Sequence, residues 1–442
     1  MNTSSASNAI NTARPATDGK DPAYTYYHGA KSRLSRQDFY AKTTAAAPYV
    51  GALLIAVMMF LPMSDTGNYI RLAIAGGLFL FKIFSGGSIP DKLMKIYIMM
   101  GVSVLLAVVS VYLTEGGLQT GILIHEVQRL MFYMLLLSVV YDYELPFRFI
   151  YVLCIVTLLI HLTIQLLQYN GVTAVNDFIR EYYLDPASSD THLMLAEQTG
   201  TSFRSGSIYM NPNVYMVIPS TVLGVILQAN ILKSSVINYI WMFLCLVSLV
   251  LTGSRATVII AAAVVLLYLF IDRKSGMLKW VIVGGCALLV FFNYEILMEN
   301  FRVFHVEDGI ESSVEIKLDG LLAYLEYADP AYFLTGSISS RLYIHIDAEW
   351  GYIFKYYGIL GIAWYVKLLL LIRRNRDTVP LMSVSSLIVI ALIAMTASVV
   401  LCMPVFSFFA LIAFSRITVK KAKSTDTPLT SGALAESVNI IK

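Results

Sequence analysis

Apolar residues gather along this chain in long blocks separated by short polar breaks, from Ala46 almost to the C-terminal tail. Blocks of roughly 17–25 such residues cross a hydrocarbon core of about 30 Å at 1.5 Å per helical residue, and in lipid only helices and closed barrels satisfy the backbone. The blocks are too long and continuous for barrel strands. They predict helices at roughly 46–63, 69–84, 93–114, 122–141, 147–167, 208–229, 236–252, 255–271, 278–294, 348–372, 380–400 and 403–417. The expected fold is therefore all-α, a polytopic membrane domain over 46–417 with about twelve transmembrane helices. An even number of crossings places residues 1–45 and 418–442 on one side as tails, with two long loops, about 168–207 and 295–347, on the other.

Composition agrees with a bilayer as solvent: 57% of the 442 residues are hydrophobic and 14% charged, more apolar surface than one soluble core hides. The formal net charge of +3 makes no case for nucleic acid, so the placement of charge carries the information. Lys31, Arg33, Arg36 and Lys42 precede the first block, and Lys82, Lys92 and Lys95 flank the second connection. The same alternate ends carry Arg148, Lys233, Arg273, Lys274, Arg373, Arg374, Lys420 and Lys421, which puts both termini in the cytoplasm. The 295–347 loop is acidic, with Glu295, Glu299, Glu307, Asp308, Glu311, Glu315 and Asp319. Loops this long are uncommon unless they bind, gate or remain disordered. The first 45 residues lack the apolar core and small-residue cleavage site of a signal peptide, and read as a disordered cytoplasmic tail. Cys154, Cys245, Cys286 and Cys402 lie in or beside apolar blocks without metal-type spacing, so neither disulfides nor zinc are expected.

Four places carry candidate chemistry. In Thr201–Asn213 the cation Arg204 and small residues lead into Asn211–Pro212–Asn213 at the start of an apolar block, where Asn211 can cap and Pro212 fits the first turn. The positive end of that helix would face outward, where an anion can sit; a capped helix with Arg204 among lipid headgroups explains the segment equally well. Leu251–Thr257 is a very short outer turn with Arg255 at the mouth of the next helix, and its planar fork of donors suits a phosphate or diphosphate. Interfacial snorkelling is the alternative. His125, Glu126 and Arg129 lie in the outer half of one block, on one helical side, either as a packing ion pair or as part of a ligand site. Gly336–Tyr352 concentrates titratable groups at another helix entrance: Arg341 can hold an anion, and His345, Asp347 or Glu349 can accept a proton from a hydroxyl. Carboxylates there also stabilise a helix N-terminus without chemistry. Gly358 and Gly361, just beyond, suit close helix approach.

The Arg204 segment leading into Asn211–Pro212–Asn213, the Gly253–Ser254–Arg255 turn, and an acidic or His residue about a dozen positions before Gly358–Ile359–Leu360–Gly361 resemble, in this order, the bacterial O-antigen polymerase (Wzy-type) and O-antigen ligase superfamily. The similarity runs over about residues 200–365. It implies a GT-C-like, metal-independent glycosyltransferase of the bacterial inner membrane that uses no cofactor. Its substrate would be an undecaprenyl-diphosphate-linked oligosaccharide, polymerised at the periplasmic face with inversion and loss of undecaprenyl diphosphate. Partners would be the bilayer and, in the same pathway, a chain-length regulator and a flippase. On this resemblance Arg204 and Arg255, with Arg341 and Arg129 behind them, hold the diphosphate, while Asp347, His345 or Glu349 serves as base. In the ligases a His stands where this chain has Asp347, with His345 two positions earlier, which favours polymerase over ligase. A lipid-linked sugar flippase or other transporter is the competing class; its charges usually lie deep in several spans, and no internal repeat is visible here.

Overall fold

The computed structural model describes residues 46–184, 205–209, 211–271, 310–338, 340–341, 344, 346, 348–393 and 403–419. They are mostly helical. The helices are α1 (Ala46–Met58), α2 (Asp65–Phe84), α3 (Asp91–Glu115), α4 (Thr120–Val140), α5 (Phe147–Tyr169) and the short α6 (Thr173–Tyr182). They continue with α7 (Val217–Leu232), α8 (Val236–Leu251), α9 (Arg255–Ile271), α10 (Ile310–Tyr327), α11 (Glu349–Leu371), α12 (Pro380–Ile393) and α13 (Met403–Phe414), with two single helical turns at Pro212–Tyr215 and Ala331–Thr335. Residues from Gly51 onward belong to one compact unit, and residues 46–50 form the first turn of α1.

Among the described residues, six helices are long and apolar enough to cross a membrane: α2, α3, α4, α5, Asn213–Leu232 and Glu349–Asn375. Shorter apolar helices occupy Ala46–Met58, Val236–Leu251, Ile259–Ile271, Pro380–Leu392 and Met403–Phe414. Apolar helices therefore stand at eleven of the twelve expected places; the segment expected at 278–294 lies outside the described residues. The outward faces fit lipid. α3 exposes Leu105, Val109 and Leu113, and α8 exposes Ile237, Phe243 and Val250, large apolar side chains suited to lipid. This is the build of a polytopic membrane protein.

At the centre is α7, whose residues from Val217 to Asn230 are all buried, as a helix apolar on every side must be. It packs against α5, α8, α9, α12 and α13. Gly224 permits the approach of α12, because a Cβ there would lie 2.1 Å from Ser385 Oγ. α3 packs on α11, and α4 on α2 and α13.

The chain alternates between two ends. At one, Lys82 pairs with Asp142 at 2.5 Å, and Asn375 donates to Ser415 O at 2.6 Å and accepts from Ile417 N at 3.1 Å. A two-stranded parallel sheet, β1 (Glu144–Pro146) with β2 (Arg416–Thr418), closes this end in the register Glu144↔Arg416. At the other, Met63 N donates to Tyr183 O at 2.6 Å, and the hydroxyls of Tyr183 and Tyr209 both reach Met59 O, at 2.7 and 3.1 Å. Arg71, fully buried, donates to the carbonyls of Met58, Pro62 and Leu61 and to Asn68 Oδ1, closing the open end of α1 and fixing its link to α2. The described residues of all four candidate segments belong to this second end.

Candidate functional site

α2, α4 and α13 enclose a cavity of about 360 Å³ at the second end. Asn68, His125, Glu126, Gln128 and Arg129 make its polar wall; Met63, Leu72, Ile122 and Met403 make much of the apolar remainder. Arg129 Nη1 stands 2.9 Å from Glu126 Oε1, with the two side chains 22% and 3% exposed. Glu126 also accepts from the hydroxyls of Tyr352 at 2.5 Å and Tyr357 at 2.6 Å, both on α11. Arg129 donates to Tyr352 Oη at 3.0 Å, and its guanidinium sits 5.7 Å from that ring's centroid. A buried charge pair is tolerable only when its remaining hydrogen-bonding positions are filled, as they are here. The packing reading of this trio holds, since the pair ties α4 to α11; the pair also lines the cavity. Its consequence is electrostatic, since the charge of Arg129 is already matched.

The described part of the Thr201–Asn213 segment and the 251–254 turn are bonded to each other. Ser205 N donates to Leu251 O at 3.0 Å, and Ser254 Oγ donates to Asn213 Oδ1 at 3.0 Å. Asn211 Oδ1 accepts from Asn213 N at 3.0 Å and Val214 N at 3.4 Å, the cap that Asn-Pro-Asn predicts, but it caps only the single turn Pro212–Tyr215 before the chain re-enters helix at Val217. The expected unbroken helix from 208 is thus interrupted, because the side chains of α5 hold residues 205–209 in another shape. His161 Nδ1 lies 2.9 Å from Ser207 Oγ, Gln168 Nε2 donates to Ser207 O at 3.2 Å, and Ser205 Oγ donates to Gln168 Oε1. Ser207 adopts φ 52°, unique among the described non-glycine residues and a conformation that persists only when its surroundings impose it. Arg255 is the first residue of α9, following Gly253 at φ 57°. Arg204 lies outside the described residues.

The described part of Gly336–Tyr352 is pinned largely through backbone groups. Glu115, at the end of α3, accepts from Tyr332 Oη at 2.9 Å, from Arg341 N at 2.8 Å and from Ser340 Oγ. Burial, then the bond to Glu115, pushes the Tyr332 hydroxyl up to about 12, so it remains a donor at any physiological pH. Arg341 itself is exposed. Lys355 O accepts from Ser337 N at 2.7 Å, Ser337 Oγ at 2.8 Å and Tyr324 Oη at 3.2 Å. That carbonyl is free to do so because α11 breaks at Gly358, at φ 62°, ψ −159°. Gly358 and Gly361 were expected to bring two helices together. At Gly358 a helix does come close, the short Ala331–Thr335, through Leu334 O and the N of its capping Gly336, whereas the nearest atoms at Gly361 belong to Tyr357 and Ile353 of α11 itself.

No protein-family model and no curated protein matches this chain. Its chemistry must therefore be read from its own residues. Of the three candidate bases, Glu349 is fully buried and accepts from Tyr365 Oη at 2.5 Å within the same helix, which suits holding the start of α11. His345 and Asp347 lie outside the described residues. Among the described residues, no three His, Cys, Asp or Glu side chains are grouped to hold a metal ion.

Several anchoring residues escape the motif search. Glu115 and Arg71 sit at block edges, where a charge reads as flanking. His161, Gln165 and Gln168 are spaced four and three apart, so they share one face of α5, and polar groups on one face of an apolar helix are the signal that finds them. Gln165 Oε1 accepts from Ser248 Oγ at 2.6 Å and from Tyr215 Oη at 3.2 Å, joining α5, α8 and the 212–215 turn.

Proposed function

We propose that this chain is a lipid-linked oligosaccharide polymerase of the bacterial inner membrane, with its second end facing the periplasm. An acceptor sugar hydroxyl attacks the anomeric carbon of a donor glycan, the bond from that carbon to the diphosphate oxygen breaks with inversion, and undecaprenyl diphosphate departs. The hydroxyl proton passes to Asp347, with His345 the alternative acceptor. Negative charge grows on the departing diphosphate, and cations fixed in a water-poor cleft favour the transition state over the ground state. Arg204 and Arg255 have that role, with Arg341 supporting it from the exposed loop.

The observation that carries this reading is the bonding of Ser205 to Leu251 and of Ser254 to Asn213. It couples the residue that follows Arg204 to the turn that ends at Arg255, two arginine-bearing segments separated by some forty positions of sequence. Packing alone does not require a cation in each.

The test is to incubate purified protein in nanodiscs with its undecaprenyl-diphosphate repeat unit and separate the products on a gel. A ladder of lengthening glycans with release of undecaprenyl diphosphate is expected, and Arg255→Ala and Arg204→Ala should abolish it at matched levels of folded protein. Arg255→Lys should recover only part of the activity, since an ammonium lacks the bidentate fork. An intact ladder from either Ala variant removes that residue from the mechanism; no ladder from folded wild type with authentic substrate refutes polymerisation and favours a ligase or flippase.

A further inference from the structure

We infer that the cavity between α2, α4 and α13 is a glycan subsite that holds one uncharged sugar ring of the lipid-linked substrate. The inference rests on the proposed polymerase reading and narrows it by separating where the sugar sits from where the diphosphate sits.

Electrostatics argues first. Arg129, the cation on the cavity wall, is paired with Glu126 at 2.9 Å, so the pair presents no net positive charge to a ligand. A diphosphate placed there would add negative charge beside a carboxylate that is 3% exposed, with His125 the one remaining basic group on the wall among the described residues. Removing such a charge from water without a matching cation is costly. A neutral polyhydroxyl ligand carries no such penalty.

The wall also has the right donors and acceptors. The Gln128 amide offers an acceptor and a donor side by side, the spacing that neighbouring ring hydroxyls require, and the His125 ring adds one further nitrogen. Among the described residues the side chains of His125 and Gln128 have no hydrogen-bond partner, so their capacity is available to a ligand. Tyr69 borders the cavity and can cover the C–H face of a ring. At about 360 Å³ the space is at the small end of ligand pockets, which run from about 300 to 1,000 Å³, and fits one ring with its waters better than a chain of them.

The wall is held rigid from behind. Glu126 takes the hydroxyls of Tyr352 and Tyr357 as well as Arg129, and Asn68 Oδ1 accepts from the buried Arg71 at 2.9 Å. Polar groups locked in this way lose little further freedom when a ligand binds.

The test measures binding without turnover. The free repeat-unit oligosaccharide of the source cell's own surface polysaccharide, released from its lipid diphosphate by mild acid, is titrated into the full chain in nanodiscs. Titrations use wild type, Gln128→Ala, Gln128→Trp and Tyr69→Ala, each shown to unfold at the wild-type midpoint. Gln128→Ala should weaken binding by about tenfold, the loss of one or two hydrogen bonds, Tyr69→Ala should weaken it less, and Gln128→Trp, which fills the space, should abolish it. Inorganic pyrophosphate should not displace the glycan. Binding unchanged in both Gln128 variants, or displacement by pyrophosphate, overturns the assignment. Gel ladders run in parallel separate the two claims. Cavity-dependent glycan binding with no ladder leaves the subsite standing and refutes polymerisation, whereas a ladder with binding indifferent to the cavity does the reverse.

Discussion

The break in α11 gives a prediction whose magnitude follows from geometry. Gly358 has φ 62°, ψ −159°, a region of backbone space essentially confined to glycine. Holding any other residue there costs about 1–3 kcal/mol before contacts are considered. A Cβ at Gly358 would also lie 2.3 Å from Leu334 O and 2.7 Å from Gly336 N, and one at Gly336 would lie 2.3 Å from Tyr356 O. These obstacles are main chain and cannot rotate aside. Gly358→Ala must therefore either absorb a severe overlap or push residues 334–336 away, sacrificing the 2.7 Å bond from Ser337 N to Lys355 O. The expected loss is about 3 kcal/mol or more, in the range that marks strain at a special backbone position. Gly77→Ala is the control: it sits within α2 with nothing within 4 Å of its Cβ position, so it should be neutral or stabilising by about 0.5–1 kcal/mol. Unfolding in mixed micelles, followed by tryptophan fluorescence and helical circular dichroism, reads both. If Gly358→Ala unfolds within about 0.5 kcal/mol of wild type, the backbone packing of 334–336 on the helix break is wrong.

The Glu126–Arg129 pair should behave as a unit: Glu126→Leu alone leaves a buried cation and two tyrosine hydroxyls without their acceptor and should cost about 3–5 kcal/mol, while the double replacement with Arg129→Leu should cost less than the sum of the singles. Additive losses in the unfolding midpoint would mean that the two side chains are not coupled. For sidedness, a membrane-impermeant thiol reagent applied to intact spheroplasts of a cysteine-free background should modify Glu311→Cys and miss Lys274→Cys. The opposite labelling pattern would invert the orientation and move the proposed site to the cytoplasm.

The sequence makes the helices legible because the bilayer imposes one strong rule, long apolar blocks, and blocks survive any detail of packing. It also reveals the Asn211 cap and the proximity of Glu126 to Arg129, since both are local. What stays hidden is long-range. That 205–209 breaks from helix depends on His161 and Gln168, some forty positions earlier, and that Gly358 is a break in its own helix as well as a contact depends on Leu334 and Gly336 approaching it. Glu115 reads as a charge flanking a span until residues 332, 340 and 341 are seen to converge on it. The cavity is likewise invisible in the sequence, because its walls come from α2, α4 and α13, the last of these separated from α4 by most of the chain.

These long-range contacts share a logic that bears on function. Three irregular segments at the second end are held by polar side chains from a neighbouring helix: Arg71 for 58–62, His161 and Gln168 for 205–207, and Glu115 for 340–341. Irregular backbone near a membrane needs such partners merely to satisfy its polar groups. Satisfying them with a long side chain from a helix does more, since it transfers the rigidity of the helical frame to the loop. A site that must hold two charged or hydroxylated groups in fixed relation tolerates errors of only about 0.5 Å, and loops alone rarely supply that. The first end is fastened differently, by a two-stranded sheet and the contacts of Asn375 around one closed seam. The asymmetry places the rigidly held irregular segments, the cavity and the 251–254 turn that leads into Arg255 at the same end, and that is where a reaction between two bound glycans would have to be organised.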